Sequence, residues 1–222
     1  KVFDENNNEE IWKIFKFNDK IYFQSFNGIF IFDGKVIKEK KFPFLTSYCF
    51  VVDNQLFIAS VEKGIFRLNN GEIEKVNGLS LLENNVIHAI QKHQDKTYFF
   101  TKKNGVYVLE NNILTPWKNG LNEVLKSANI NVAQFINSDK LIIGTANNGV
   151  YVLNLIDGSY KNINRNNVLM NNSILSIGQD KENDLWLGLD NGIAHIEVNS
   201  LISIFYDSSG ILGSVYSVAS IP

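Results

Sequence analysis

The sequence predicts an all-β protein, a β-propeller of about five four-stranded blades. Three features predict this fold. A motif made of an apolar strand, a glycine-ended turn and a second apolar strand recurs along the chain. Its copies follow one another at intervals of roughly 40 residues, which is the spacing of propeller blades. Many of the strands are apolar on both faces, as expected where each sheet is covered by a neighbouring sheet on either side.

The glycine-ended turn is the most regular part of the repeat. Its copies read FNGIFIF, EKGIFRL, KNGVYVL, NNGVYVL and DNGIAHI. An Asn-Gly pair between two apolar runs is a strong hairpin signal, because glycine reaches a positive φ without steric cost. We name the strands A to D in chain order. In the last copy they are assigned to Ile174–Ile177, Leu185–Gly188, Ile193–Glu197 and Ile202–Tyr206.

The repeats make the chain one architectural unit. We place the blades at residues 11–46, 47–84, 85–128, 129–171 and 172–212, followed by part of a further blade at 213–222. Because both ends fall within blades, we expect residues 1–222 to be a segment of a larger propeller. Long amphipathic windows are hard to find, and only Gly120–Ser127 has room for a turn or two of helix.

Composition excludes several classes of protein. A content of 45% hydrophobic and 20% charged residues is ordinary for a soluble globular protein with a sizeable core. The net charge of −2 gives no electrostatic case for binding nucleic acid. No apolar run approaches the length that spans a bilayer. The lone Cys49 cannot form an intramolecular disulfide, and its apolar neighbours predict a buried thiol in strand A.

One stretch resembles a known family. Within residues 174–196, an apolar strand A is followed by Asp180, by the run Leu-Trp-Leu-Gly that contains Trp186, and by an Asn-Gly-Ile turn. This order resembles the regulator-propeller repeat of the periplasmic sensor regions of Bacteroidetes hybrid two-component systems. The other blades depart from it: only blade five has the strand-B tryptophan, and the family's Gly-Thr after strand B survives only as Gly144-Thr145.

The resemblance implies a function and a location. It implies a non-catalytic sensor propeller of a hybrid two-component histidine kinase, in the periplasm, as the ectodomain of an inner-membrane protein. The implied ligand is a glycan oligosaccharide, and the implied partners are the remaining propeller and the kinase regions of the parent chain. Two alternatives stay open: a protein-interaction or homodimerisation scaffold and, less favoured, a propeller enzyme that acts on polysaccharide.

The ligand-binding residues are expected on one face of the propeller. Because the strands of a blade run antiparallel, the start of strand A, the B–C turn and the D–A connection lie at the same end. Amide and aromatic side chains there suit a sugar, although turns favour asparagine for conformational reasons too. The predicted binding residues are Tyr48, Lys103, Asn104, Trp117, Asn147, Asn148, Asp190 and Asn191. We expect Trp12, by contrast, to pack between blades.

The sequence gives no positive sign of a metal, a cofactor or an enzyme. Asp180, Glu182 and Asp184 alternate, but the stretch lacks the glycine and the terminal glutamate of an EF-hand loop, so a solvated A–B turn is favoured over a calcium site. We expect His88 and His195 to be ordinary strand residues, since no histidine belongs to a ligand-spacing motif. No G-x-S-x-G nucleophile motif is present.

Overall fold

The computed structural model describes residues 9–198. They form five antiparallel sheets, four of four strands and one of three, in which strands that follow each other in the chain lie side by side. The fold is a β-propeller. The predicted strand D of blade five, Ile202–Tyr206, and the predicted part-blade at 213–222 lie outside the described residues.

Each blade takes its strands in chain order. Blade one contains β1 (Lys13–Phe17), β2 (Lys20–Gln24), β3 (Gly28–Phe32) and β4 (Ile37–Lys41). Blade two contains β5 (Thr46–Val52), β6 (Gln55–Ser60), β7 (Ile65–Asn69) and β8 (Glu72–Lys75). Blade three contains β9 (Ile87–His93), β10 (Lys96–Thr101), β11 (Val106–Glu110) and β12 (Ile113–Pro116). Blade four contains β13 (Ile130–Ile136), β14 (Lys140–Thr145), β15 (Val150–Asn154) and β16 (Tyr160–Ile163). Blade five contains β17 (Ile174–Gln179), β18 (Leu185–Leu189) and β19 (Ile193–Ile196).

The hydrophobic core lies between the blades. Strand β14 shows why its sequence is apolar on both faces: Ile143 packs in the cluster shared with blade three, whereas its neighbour Ile142 packs in the cluster shared with blade five. Cys49 belongs to the cluster between blades one and two and is fully buried, as predicted. The face-to-face stacking of blades therefore accounts for the absence of polar alternation in the inner strands.

The helix within the long connection after blade three is α1 (Gly120–Ala128). Asn119 caps it, since its side chain accepts a hydrogen bond of 2.9 Å from the backbone N–H of Leu121. Leu121 and Leu125 are buried against the core between blades three and four. The predicted helical segment is confirmed. No helix among residues 9–198 is long and apolar enough to cross a membrane.

Strand A carries a β-bulge near its start in blades two to five. The bulged residues are Ser47, His88, Asn131 and Leu175, each of which has no direct partner in the register of the neighbouring strand B. Three of these side chains reach a backbone carbonyl in strand A of the following blade. The bulges therefore link the inner strands of neighbouring blades, as extra residues in a ladder often redirect a side chain.

Candidate functional site

The B–C turns and the entries to strand A share one end of the blades, which we call the B–C face. In blade three, Lys102 of the turn donates its backbone N–H to the carbonyl of Val86 at 2.8 Å. The carbonyl of Lys102 accepts from Ile130, the first residue of β13 in the next blade, at 3.0 Å. The turn of blade three is thus tied to its own blade and to the next, so this turn and the entries to both strands A lie at the same end, as predicted.

A hydroxyl side chain holds the B–C turn in the first four blades. In blade four, Thr145 donates from Oγ1 to the carbonyl of Gly149 at 2.8 Å and accepts from the backbone N–H of Asn148 at 3.0 Å. The other hydroxyl residues at this position are Ser25, Ser60 and Thr101. Of these positions only Gly144-Thr145 was singled out from the sequence, although Ser or Thr recurs at the end of strand B.

Six of the predicted binding residues lie in the B–C turns of three successive blades. They are Lys103 and Asn104 in blade three, Asn147 and Asn148 in blade four, and Asp190 and Asn191 in blade five. All are exposed except Asn148, which is partly buried. The side chain of Asn104 has a structural contact as well. Its Nδ2 donates to Oδ1 of Asn85 at 2.6 Å, which links the B–C turn of blade three to the segment that precedes β9.

Tyr48 lies deeper, in β5, where it is partly buried. Its ring meets the imidazole of His88 edge-on, with 5.4 Å between the ring centroids. His88 Nδ1 lies 3.3 Å from the carbonyl oxygen of Asn131. Burial lowers the pKa of His88, so the neutral imidazole is favoured, and the carbonyl acceptor places its proton on Nδ1. Tyr48 therefore belongs to a contact chain along the inner strands of blades two, three and four.

Trp117 follows strand β12 and is partly buried. Its ring lies edge-on against Tyr98, with 6.1 Å between centroids, and it packs against the core between blades three and four. Its carbonyl accepts a hydrogen bond of 2.9 Å from Nδ2 of the buried Asn122. The structure thus gives Trp117 a packing contact beneath the surface in addition to its predicted binding role.

The B–C face of blade one carries an aromatic pair that our sequence analysis did not select. Within the described residues Trp12 has no blade packed on it: it is 49% exposed, and its ring centroid lies 4.7 Å from that of Phe26, which is 43% exposed. The reason is local. Trp12 precedes β1, and its backbone N–H pairs with the carbonyl of Gln24 at the end of β2, which places it beside the B–C turn.

Phe26 of this pair also lines a small cleft. The cleft is lined by Glu9, Glu10, Ser25, Phe26 and Asn27. Glu9 accepts a hydrogen bond from the hydroxyl of Ser25, and its other carboxylate oxygen lies 3.5 Å from Nδ2 of Asn27. Exposed rings beside a held carboxylate and an amide can stack on the C–H face of a sugar and hydrogen-bond its hydroxyls. The sequence signal for this cleft was Phe26-Asn27 in the turn.

One other group of polar side chains stands out in the described part of the chain. Asp180, Asp184 and His195 bring metal-ligating atoms within 4.8 Å of one another. Asp180 and Asp184 flank the A–B turn of blade five, at the end of the strands opposite the B–C face. His195 lies on β19, as predicted for a strand residue, and its imidazole faces the two aspartates.

Comparison with known protein families bears on the repeat in blade five. Residues 168–191 match the model of the two component regulator propeller family. Blade five contains a regulator-propeller repeat. The matched segment includes Asp180 and Trp186 and ends before His195. The resemblance that we inferred from the order of strand A, Asp180, Leu-Trp-Leu-Gly and Asn-Gly-Ile is confirmed.

Solved structures show the same fold. The extracellular domain of the hybrid two-component system BT3049 from B. thetaiotaomicron superposes with a TM-score of 0.70 at 18% identity, over 87% of this chain and 29% of that one. The extracellular domain of BT4673 from the same organism gives 0.67 at 20% identity, over 86% and 28%. PorZ, a type-IX secretion component of Porphyromonas gingivalis, gives 0.58 at 15% identity, over 84% and 27%. The chain thus spans less than a third of each of these structures. No curated protein matches its sequence.

Proposed function

We propose that this chain is a non-catalytic, ligand-binding segment of an extracytoplasmic sensor propeller that belongs to a hybrid two-component histidine kinase. The regulator-propeller repeat at residues 168–191 supports this assignment. So does the fold shared with extracellular domains of two-component systems. In this proposal the remaining propeller and the kinase regions of the parent chain receive the signal, and the periplasm is the compartment.

In this proposal the ligand of the sensor is a glycan oligosaccharide. The cleft of blade one is the observation that supports this ligand most directly. Trp12 and Phe26 present two exposed rings on the B–C face, and large exposed aromatic side chains mark sites of interaction on a soluble protein. Glu9 offers a carboxylate that Ser25 already holds in place. An apolar platform with a few fixed polar groups is the usual composition of a small-molecule site.

The B–C turns of the later blades extend the same surface. Lys103, Asn147 and Asn191 are exposed there and offer amine and amide groups to further sugar units. Tyr48 and Trp117 lie below this surface, in ring contact with His88 and Tyr98. The proposed site therefore combines an aromatic end in blade one with an amide-rich stretch in blades three to five.

A thermal-shift screen against a panel of oligosaccharides tests this function. A ligand that binds only the folded state raises the melting temperature by mass action. We expect one class of oligosaccharide to raise the melting temperature of both this chain and the longer parent ectodomain. A shift in the parent alone would place the site in other blades, and no shift in either protein would count against sugar sensing. Chromatography of the incubated sugars should show no breakdown products, whereas products would favour the polysaccharide-acting enzyme.

A second function, homodimerisation, is favoured by one observation. The face of blade five that points away from blade four carries Trp186, which is 47% exposed, and Ile193, which is 70% exposed. Exposed apolar groups of this size on one sheet face are typical of an interaction surface. Sedimentation equilibrium of the wild type and of Ile193→Asp tests this candidate. A dimer that the substitution dissociates supports it, and a monomeric wild type at high protein concentration refutes it.

A further inference from the structure

We propose that Asp180, Asp184 and His195 form a binding site for a first-row divalent transition metal, with Zn²⁺ as the test ion. The three side chains converge in blade five although His195 lies on a different strand from the two aspartates. His195 Nε2 lies 3.4 Å from Oδ2 of Asp180 and 4.0 Å from Oδ2 of Asp184. All the ligating atoms lie within 4.8 Å of one another.

These separations suit a small metal ion. Zinc binds imidazole nitrogen and carboxylate oxygen at about 2.0–2.2 Å. Two ligands at that distance in a tetrahedral site lie roughly 3.4 Å apart. The distance from His195 to Asp180 already has this value, and Asp184 lies 4.0 Å from His195, within about 1 Å of this value. Three protein ligands leave a fourth position for water.

The ligand types select among the metals. One imidazole with two carboxylates is a mixed nitrogen and oxygen set, which suits zinc and its first-row neighbours. Calcium and magnesium prefer six or more oxygen ligands, and the third acidic residue of the turn, Glu182, is exposed and outside the cluster. The two carboxylates balance the charge of a divalent ion while His195 binds as the neutral imidazole.

The surroundings of Asp180 hold it in position for a metal. Its Oδ1 accepts hydrogen bonds from the backbone N–H groups of Glu182 at 3.1 Å and Asp184 at 2.9 Å. Its Oδ2 accepts from the indole Nε1 of Trp186 at 2.9 Å, which leaves a lone pair of that oxygen available. These bonds lower the pKa of Asp180, and outer hydrogen bonds of this kind orient metal ligands.

Calorimetric titration of the tag-free, full chain with Zn²⁺ tests the site. We expect saturable binding of one ion per chain and a rise in melting temperature on zinc addition. His195→Gln should abolish both effects, and Trp186→Phe, which removes the outer hydrogen bond and keeps a ring beside His195, should weaken binding by about tenfold. His93→Gln is the matched control, since His93 stacks on Phe135 away from this cluster, and it should bind zinc as the wild type does.

Two binding results would overturn the proposal. One is the absence of saturable zinc binding to the folded wild type. The other is zinc binding by His195→Gln with unchanged affinity, which would place the ion elsewhere. A measurement on the wild type alone keeps the test independent of how the variants fold: zinc should perturb the NMR signals of the His195 imidazole and the Trp186 indole N–H, whose rings lie 4.6 Å apart. Shifts confined to other histidines would contradict the site.

Discussion

The imidazole of His88 in blade three lies 3.3 Å from the carbonyl oxygen of Asn131 in blade four. Asn131 in turn donates from Nδ2 to the carbonyl of Ile174 in blade five at 3.2 Å. Ser47 makes the corresponding contact from blade two, since its hydroxyl lies 3.4 Å from the carbonyl of Ile87. Each donor is the bulged residue of its strand A. Blades two to five are therefore joined by side-chain hydrogen bonds along their inner strands as well as by the apolar clusters between them.

Replacing Asn131 by alanine should destabilise the chain. The change removes the donor to Ile174 and leaves that carbonyl without its partner, which costs about 1–3 kcal/mol in the free energy of unfolding. Urea denaturation of the wild type and of Asn131→Ala measures this loss of unfolding free energy. Asn147→Ala, at an exposed turn position, is the control and should change the free energy of unfolding by less than about 0.5 kcal/mol. Equal effects at the two positions would show that the bulge contact contributes nothing.

His88 should make the protein less stable in mild acid. Burial holds its folded-state pKa below the ordinary value of 6.5. Above pH 6.5 both folded and unfolded states carry a neutral imidazole and the effect vanishes. As the pH falls below 6.5 the unfolded state takes up a proton first, so stability is lost until the pH passes the lower folded-state pKa. Melting temperatures between pH 7.5 and 5 measure the loss, which His88→Gln should reduce. An unchanged pH profile would contradict this.

Cys49 should be inert in the native protein. It is fully buried between blades one and two, and burial raises the pKa of its thiol to about 12. The thiolate, which is the reactive form, is therefore scarce at neutral pH. A chromogenic disulfide reagent should label the thiol only after the chain is unfolded in urea. Rapid labelling of the native protein would mean that the interface between blades one and two is open.

Gly149 and Gly158 form a matched pair that separates backbone strain from crowding. Both have positive φ, +72° at Gly149 and +74° at Gly158. A Cβ at Gly149 would lie 2.2 Å from the carbonyl oxygen of Ile163, whereas a Cβ at Gly158 would meet nothing within 4 Å. Gly158→Ala should cost about 1–2 kcal/mol from φ strain alone. Gly149→Ala should cost about 1–3 kcal/mol more.

Urea denaturation of both glycine variants measures the difference in unfolding free energy. Equal losses would show that the B–C turn of blade four relaxes around the added methyl group, and that the close approach of strand β16 is not a constraint.

The sequence predicts the blades well because their signals are local. An apolar strand, a glycine-ended turn and a second apolar strand are all contained within about a dozen residues. Two-sided apolar character identifies strands such as β14 that pack between blades. The bulges at His88 and Asn131 could not be predicted this way, since a bulge is a relation between two strands and leaves no fixed pattern in either.

The candidate site was less predictable than the fold. The amide-rich turns were found because they recur, and the structure places them on one face. The cleft of blade one could not be predicted, because Glu9 and Ser25 are 16 residues apart and meet only through the way the chain enters β1. The sequence predicts a solvated turn at Asp180, because the third residue of the cluster, His195, lies on another strand, where it pairs with Trp186.

The most direct test of sugar sensing on the B–C face is a calorimetric titration of the oligosaccharide that gives the largest thermal shift. The wild type should bind it, and Trp12→Ala should bind at least about tenfold more weakly, because the exposed ring is the main stacking surface. Ile156→Ala is the control, since this residue is 81% exposed in the C–D turn of blade four, at the other end of the strands. It should bind like the wild type. Equal affinity of Trp12→Ala and the wild type would contradict the proposed site.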